Sequence, residues 1–129
     1  MEIPLSELID RMTILKLKTE RLPEEQTISE QFGIITSESI ATINKFDDAT
    51  KDKIVGHIKK IYFYNGKKWD LEFDIRKGSL GKEDLAEIGR RALLIREYNG
   101  KRLHHKNAIA NLTSNLIMYD VKIDHQSEE

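Results

Sequence analysis

Eight charged or amide side chains lie on or beside the apolar faces of three helical segments, where a helix normally places apolar residues. These residues are Glu7, Asp10, Asn65, Glu72, Arg96, Asn99, Arg102 and Lys106. A charged group that is buried in a protein must be paired or neutralised, because its removal from water is costly. We therefore expect these side chains to form a network in which carboxylates, amides and cationic groups satisfy one another.

Such a network allows two interpretations of function. In the structural interpretation, it fixes the register or the oligomeric state of the helices, often at some cost in stability. In the second interpretation, it lines a polar pocket in which Arg96, Arg102 or Lys106 binds the phosphate or carboxylate of a small anion such as a sugar nucleotide. We favour the structural interpretation and keep the binding site, or an enzyme built on it, as the alternative.

Other kinds of site are disfavoured by residue type and spacing. The chain has no cysteine, which excludes a disulfide scaffold, a zinc ribbon and a thiol enzyme. His104 and His105 are adjacent, so on a helix they point about 100° apart and do not form a paired ligand set. Gly89 and Gly100 belong to no phosphate-binding loop pattern. We predict neither a metal site nor a cofactor.

The charges of the chain are balanced overall, with 21 basic and 22 acidic residues, but they are unevenly distributed. Residues 51–78 carry eight basic and four acidic side chains, residues 79–118 carry seven and four, and residues 23–50 carry one and six. Lysines interleaved with aromatic residues can bind single-stranded nucleic acid, yet such lysines more often form a solvated helix face. We therefore disfavour a nucleic-acid partner and expect the acidic segment to pack on the basic ones.

The spacing of apolar residues predicts a first helix over about residues 5–22. Pro4 marks its start and Pro23 its end. Besides its main apolar face, this helix carries Ile14 and Leu17 on the far side. A helix that is apolar on two sides usually contacts two partners, either two other helices or a second chain.

The segment over residues 51–77 has two competing interpretations. Its face residues recur at helical spacing over a length of about 40 Å. In contrast, the dipeptide Asn65-Gly66 after an aromatic run, followed by alternating apolar residues, is typical of a β-hairpin. The stretch Tyr98–Arg102 repeats the residue types of Tyr64–Lys68 inside a long helical pattern. This repeat indicates that Asn-Gly is compatible with a helix in this chain.

The remaining segments complete a helical bundle. A last long helix is predicted over about residues 82–118, antiparallel to the helix over 51–77. The connector over residues 23–50 is predicted to contain one short helix near 37–46. Residues 119–129 are expected to fray at the end of the chain.

Three stretches of the sequence are similar to a known group of proteins. They are Glu7-Leu8-Ile9-Asp10-Arg11-Met12-Thr13-Ile14-Leu15-x-Leu17-Lys18, Trp69-Asp70-Leu71-Glu72-x-x-Ile75-Arg76 and Asn99-x-Lys101-Arg102-x-x-x-Lys106-Asn107. They resemble a group of small, uncharacterised, all-helical bacterial proteins that are often encoded beside glycosyltransferases and other surface-polysaccharide genes. The resemblance implies an all-helical fold and favours a helix over residues 62–75. It carries no catalytic residue.

The sequence therefore predicts a single all-α domain over residues 1–129, built on a long antiparallel helix hairpin. No apolar run approaches the roughly 18 residues that span a bilayer, and the N-terminus lacks signal-peptide features, so we expect a cytoplasmic protein. The two-sided first helix and the long hairpin predict a homodimer with isologous helix contacts. The expected function is a non-catalytic accessory or protein-interaction module, and the resemblance implies a link to surface-polysaccharide synthesis.

Overall fold

The chain folds as an all-α bundle, as the sequence predicts. The computed structural model describes residues 3–76 and 85–114 of the 129-residue chain. In these residues it has four helices and no strand. The helices are α1 (Leu5–Arg21), α2 (Gln26–Ile43), α3 (Asp48–Arg76) and α4 (Leu85–Leu112). The predicted end of the last helix near 118 and the fraying of residues 119–129 lie outside the described residues.

Helix α1 is the central element and contacts all three other helices. Helix α2 packs along one side of α1, and α3 and α4 pack on the other side. The prediction that α1 is covered on two sides is therefore confirmed, and the three helices that cover it belong to the same chain. Leu17 on the second face is buried, while Ile14 stays half-buried beside α2.

Helices α3 and α4 form the long antiparallel hairpin. Near one end of the hairpin, His57 of α3 contacts His105 of α4, and farther along Lys68 contacts Asn99. Helix α3 is 29 residues long, about 43 Å at 1.5 Å per residue. None of the helices in the described part of the chain combines the length and apolar character that a membrane span requires.

The dipeptide Asn65-Gly66 lies inside α3, so the helical interpretation is confirmed and the β-hairpin interpretation is wrong. Both residues are buried. A Cβ atom on Gly66 would lie 3.6 Å from Cδ2 of Leu17, so α1 crosses α3 closely at this point. Tertiary packing against α1 thus outweighs the low helix propensity of the two residues.

The connector is more helical than the sequence predicts. Helix α2 has 18 residues in place of a short helix near 37–46. Its inner face repeats at helical spacing through Ile28, Phe32, Ile35, Ser39 and Ile43. The packing of this face on α1 outweighs the cost of about 1 kcal/mol for a glycine within a helix, so the chain does not break near residue 33.

The acidic connector also packs differently from the prediction. Helix α2 lies along α1 rather than on the basic hairpin. Its C-terminal end reaches the hairpin, where Ile43 packs against the hydrophobic core. Apolar burial therefore decides where α2 packs, because charge attraction between solvated surfaces contributes little.

The hydrophobic core lies where α1 and α3 begin and α4 ends. Its buried side chains are Leu5, Ile9, Ile54, Ile61 and Ile109. Full burial of each such side chain contributes roughly 1.5–3 kcal/mol. This core fixes the near ends of the three helices and thereby sets the register of the residues that follow along each helix.

Matched substitutions at two helical glycines test the close crossing of α1 and α3. Gly66→Ala and Gly100→Ala are both expected to raise the free energy of unfolding, by up to about 1 kcal/mol, because alanine is the better helix former. Gly66→Leu is expected to lower it, since Leu17 occupies the space, whereas Gly100 has no atom within 4 Å of a Cβ position and tolerates leucine. Urea denaturation measures these changes. Equal stability of the two leucine variants would contradict the crossing.

Candidate functional site

Asp10 is the centre of a polar layer between α1, α3 and α4. Its side chain is only 8% exposed. Arg102 Nη1 of α4 lies 2.5 Å from Asp10 Oδ2, and Lys106 Nζ lies 3.7 Å from the same oxygen. From α3, Asn65 Nδ2 donates a hydrogen bond to Asp10 Oδ1 at 3.3 Å. One carboxylate therefore joins three helices.

Thr13 and Glu7 extend the layer along α1. Asn65 Nδ2 also donates to Thr13 Oγ1 at 2.9 Å, and the Thr13 hydroxyl donates to the Asp10 carbonyl at 2.8 Å. Lys106 Nζ lies 2.6 Å from Glu7 Oε1. Burial raises the pKa of Glu7, but the hydrogen bond and charge of Lys106, together with Arg11, outweigh it, so that the pKa lies below 4.5. Glu7 is therefore ionised at neutral pH and pairs with Lys106.

Lys68 and Asn99 close the layer on the hairpin side. Asn99 Oδ1 accepts hydrogen bonds from Lys68 Nζ at 2.9 Å and from Arg102 Nε at 3.2 Å. Burial and the neighbouring charge of Arg102 lower the pKa of Lys68, while Glu72 and Asp10 act in the opposite direction. The amide of Asn99 thus separates and orients two cations that would otherwise repel each other.

The polar layer lies directly beside the hydrophobic core. Asp10 follows the core residue Ile9, Asn65 lies one turn after Ile61, and Lys106 lies three residues before Ile109. Water is displaced from the core side of the layer, so the electrostatic interactions within it are stronger than at the surface. The same burial makes the loss of any one partner costly.

The structure brings six of the eight predicted side chains together in one layer. They are Glu7, Asp10, Asn65, Asn99, Arg102 and Lys106. Glu72 is half-buried and close enough to Lys68 to affect its pKa. Arg96 is exposed and lies outside the layer, because six residues along a helix rotate it about 120° away from Arg102.

Two members of the layer, Thr13 and Lys68, were not among the predicted residues. Thr13 lies three residues after Asp10 on the same face, and Lys68 lies three residues after Asn65. Their helical spacing from a predicted residue could therefore have identified both. Lys68 is one of the many basic residues of residues 51–78, and this setting makes it resemble a solvated surface lysine. Only the approach of α4 shows that it is half-buried.

A second polar contact, between two histidines, joins α3 and α4. The Nδ1 atoms of His57 and His105 lie 2.9 Å apart, so one ring donates a hydrogen bond and the other accepts it. Burial lowers the pKa of both rings, and His104 lowers both further. His57 and the lysines Lys60 and Lys101 also lower the pKa of His105. Within the described residues, no group of three or more possible ligands could hold a metal ion.

Comparisons with protein-family models, with curated proteins and with solved structures find no match to the chain. The structure itself gives the class of protein. It is a helical bundle whose central helix is held to a long hairpin by a buried, internally paired polar layer. Chemically, the layer can hold the helices in register or bind an anion beside its cations.

Removal of Arg102 distinguishes these two roles. If the layer is structural, Arg102→Ala is expected to lower the free energy of unfolding by about 3–5 kcal/mol, because it leaves the buried Asp10 carboxylate without its main partner. The exposed Arg96 on the same helix is the matched control, and Arg96→Ala should change stability by less than about 0.5 kcal/mol. Chemical denaturation measures both. Equal, small effects would contradict the structural role.

The histidine contact predicts a pH dependence of stability. Because the pKa of His57 and of His105 is lower in the folded protein than the ordinary value of 6.5, the unfolded chain binds more protons just below that pH. The contribution to stability is therefore complete above about pH 6.5 and is lost as the pH falls below it. Glu7, with a pKa below 4.5, acts only at lower pH.

Denaturation curves between about pH 5 and pH 7 measure this slope. His105→Gln should make the free energy of unfolding depend less steeply on pH, because glutamine forms hydrogen bonds but does not titrate in this range. His104→Gln, at the exposed neighbouring position, should keep most of it. The assignment is wrong if both variants retain the slope of the unmodified chain.

Proposed function

We propose that this chain is a non-catalytic helical interaction module that works as a homodimer. Two features support this proposal. The polar groups of the buried layer are occupied with one another, whereas a general acid or base must reach a substrate. The surface, in contrast, carries an apolar groove with a charged rim.

The observation that carries the proposal is this groove, which lies between α1 and α2. Its volume is about 420 Å³. It is lined by Arg11, Ile14, Leu15, Lys18, Gln31, Ile34 and Ile35. Ile34 is 62% exposed, and apolar side chains that gather in a groove with a polar rim are typical of interaction sites.

A second copy of the chain has the chemistry that this groove fits. The outer face of α2 presents Glu30 and Glu38 on either side of Ile34, with the small residues Gly33 and Ser37 between them. Helix α2 contains no basic residue. In a twofold dimer, this acidic face can meet Arg11 and Lys18 of the other copy, and Ile34 can enter the groove.

The small residues favour close packing of the two copies. Gly33 has no atom within 4 Å of a Cβ position, so a neighbouring helix can approach the backbone there. In a twofold arrangement, each contact occurs twice. The resulting isologous interface agrees with the dimer that the sequence analysis predicts.

On the resemblance to bacterial proteins encoded beside glycosyltransferases, we extend the proposal to a cytoplasmic accessory role in surface-polysaccharide synthesis. The dimer would then present its outer hairpin faces to a protein partner. Loss of the gene is expected to alter the amount or length of the surface polysaccharide. An unchanged polymer would contradict this extension and would leave the dimer proposal intact.

One observation favours a second candidate, a small-anion site in the polar layer. Arg102 and Lys106 pair with the carboxylates of Asp10 and Glu7, whereas Lys68 donates to the amide of Asn99. Glu72 acts on Lys68 only as a neighbouring charge, so the positive charge of Lys68 has no ion-pair partner within the described residues. An anion beside Lys68 would balance this charge and raise the lowered pKa of Lys68. A thermal shift with nucleotides, sugar nucleotides or organic acids that Arg102→Ala abolishes would support this candidate.

The dimer predicts a mass of about 30 kDa by light scattering at micromolar concentration, twice that of the 15.0 kDa chain. Ile34→Glu places a charge in the apolar contact and should yield monomers. Leu93→Glu is the matched control, because Leu93 is 65% exposed and lies on α4, which contributes no residue to the lining of the groove. It should leave the dimer intact.

A charge exchange tests the pairing directly. A chain with Arg11→Glu and Lys18→Glu, and a second chain with Glu30→Lys and Glu38→Lys, should each be monomeric, because like charges then face each other. Mixed together, they should form a heterodimer, since every contact regains opposite charges. Monomeric wild-type protein, or a mixture that stays monomeric, would contradict the proposed interface.

A further inference from the structure

A small, half-open cavity lies between α1, α2 and α3, on a different side of α1 from the polar pairs with α4. Its volume is about 190 Å³. Its apolar wall is formed by Met12 of α1, Phe32 of α2, and Ile58 and Tyr62 of α3. An apolar cavity of about 150 Å³ in another protein stays dry and binds benzene, so this cavity has room for one aromatic ring with a short chain.

The polar groups at the wall are already engaged. The Thr13 hydroxyl donates to the Asp10 carbonyl and accepts from Asn65. The Tyr62 hydroxyl donates to Glu20 Oε1 at 2.5 Å. A water molecule in the cavity would thus find few partners, and an apolar ligand group would displace it favourably.

The two lysines that line the mouth of the cavity, Lys16 and Lys59, differ in whether they have an ion-pair partner. Lys16 pairs with Glu20 at 2.9 Å and lies over the Tyr62 ring. Lys59 also lines the cavity, and within the described residues its ammonium group has no ion-pair or hydrogen-bond partner. The charge of Lys16 is therefore balanced by Glu20, whereas the charge of Lys59 is available to a ligand.

We propose that this cavity binds an amphipathic carboxylate: a single aromatic ring in the space between Met12, Phe32 and Ile58, with the carboxylate on Lys59. Lys16, the other lysine at the mouth, is already paired with Glu20, so the carboxylate of the ligand is directed to Lys59. Tyr62 adds a ring face against which the ligand ring packs. The site is separate from the groove beside Ile34, and it borders the polar layer at Thr13.

A titration of the full chain with 3-phenylpropionate, followed by amide chemical shifts in ¹H–¹⁵N spectra, tests the proposal. Saturable shifts centred on Met12, Phe32 and Ile58 are expected, with a dissociation constant of roughly 0.1–1 mM for a ligand of this size. The neutral analogue 3-phenylpropionamide should bind about tenfold more weakly, because it forms no charge-assisted hydrogen bond with Lys59.

Two variants isolate the charge. Lys59→Gln should weaken binding of the carboxylate about tenfold and leave binding of the amide unchanged. Lys53→Gln, at another exposed lysine of α3 that does not line the cavity, should change neither. The proposal is overturned by the absence of saturation at about 10 mM ligand, by shifts centred elsewhere, or by equal behaviour of the two variants. Retained shifts for Ile34→Glu would show that the cavity is independent of the dimer.

Discussion

The structure depends on the burial of one carboxylate, that of Asp10. A buried carboxylate is tolerated only when its charge is balanced and its oxygens are hydrogen-bonded. Arg102 and Asn65 meet these requirements together, and each comes from a different helix. Helix α1 therefore packs on the hairpin in the register that aligns these groups, since a shift of one turn would break the contacts of Asp10 with both Arg102 and Asn65.

The hydrophobic core and the polar layer contribute differently to the register of the helices. The core residues on α1, α3 and α4 are leucine and isoleucine, which tolerate sliding and repacking. The polar layer beside them does not tolerate sliding, because each hydrogen bond requires a narrow range of distance and angle. This difference explains why polar residues occupy the apolar frames of two long helices, where they add less stability than apolar residues would.

The position of α1 also determines where the groove and the cavity lie. One side of α1 is committed to the hairpin, so α2 alone covers the other side. A single helix leaves the edges of that side open. The groove beside Ile34 and the cavity beside Phe32 lie at these edges, and the first is apolar with basic residues at its rim. The candidate interaction sites thus follow from the asymmetry of a central helix with two neighbours on one side and one on the other.

Much of the fold and of the polar layer could be predicted from spacing alone. The apolar frames of α1, α3 and α4 place Asp10, Asn65 and Arg102 on inward faces, and a repeated Asn-Gly motif identifies residues 65–66 as helical. Three features could not be predicted in this way. The extent of α2 depends on packing against α1, the burial of Lys68 depends on the approach of α4, and the exposure of Arg96 depends on the exact rotation of that helix. Each is a property of tertiary contacts rather than of local sequence.

The central claim is that Asp10 and Arg102 stabilise the fold through each other. A double-mutant cycle with Asp10→Ala, Arg102→Ala and the double variant, followed by urea denaturation, measures this coupling directly. The account predicts a coupling free energy of about 2–3 kcal/mol, with the double variant more stable than the sum of the single losses implies. A coupling below about 0.5 kcal/mol would mean that the two residues act independently, and it would contradict the account.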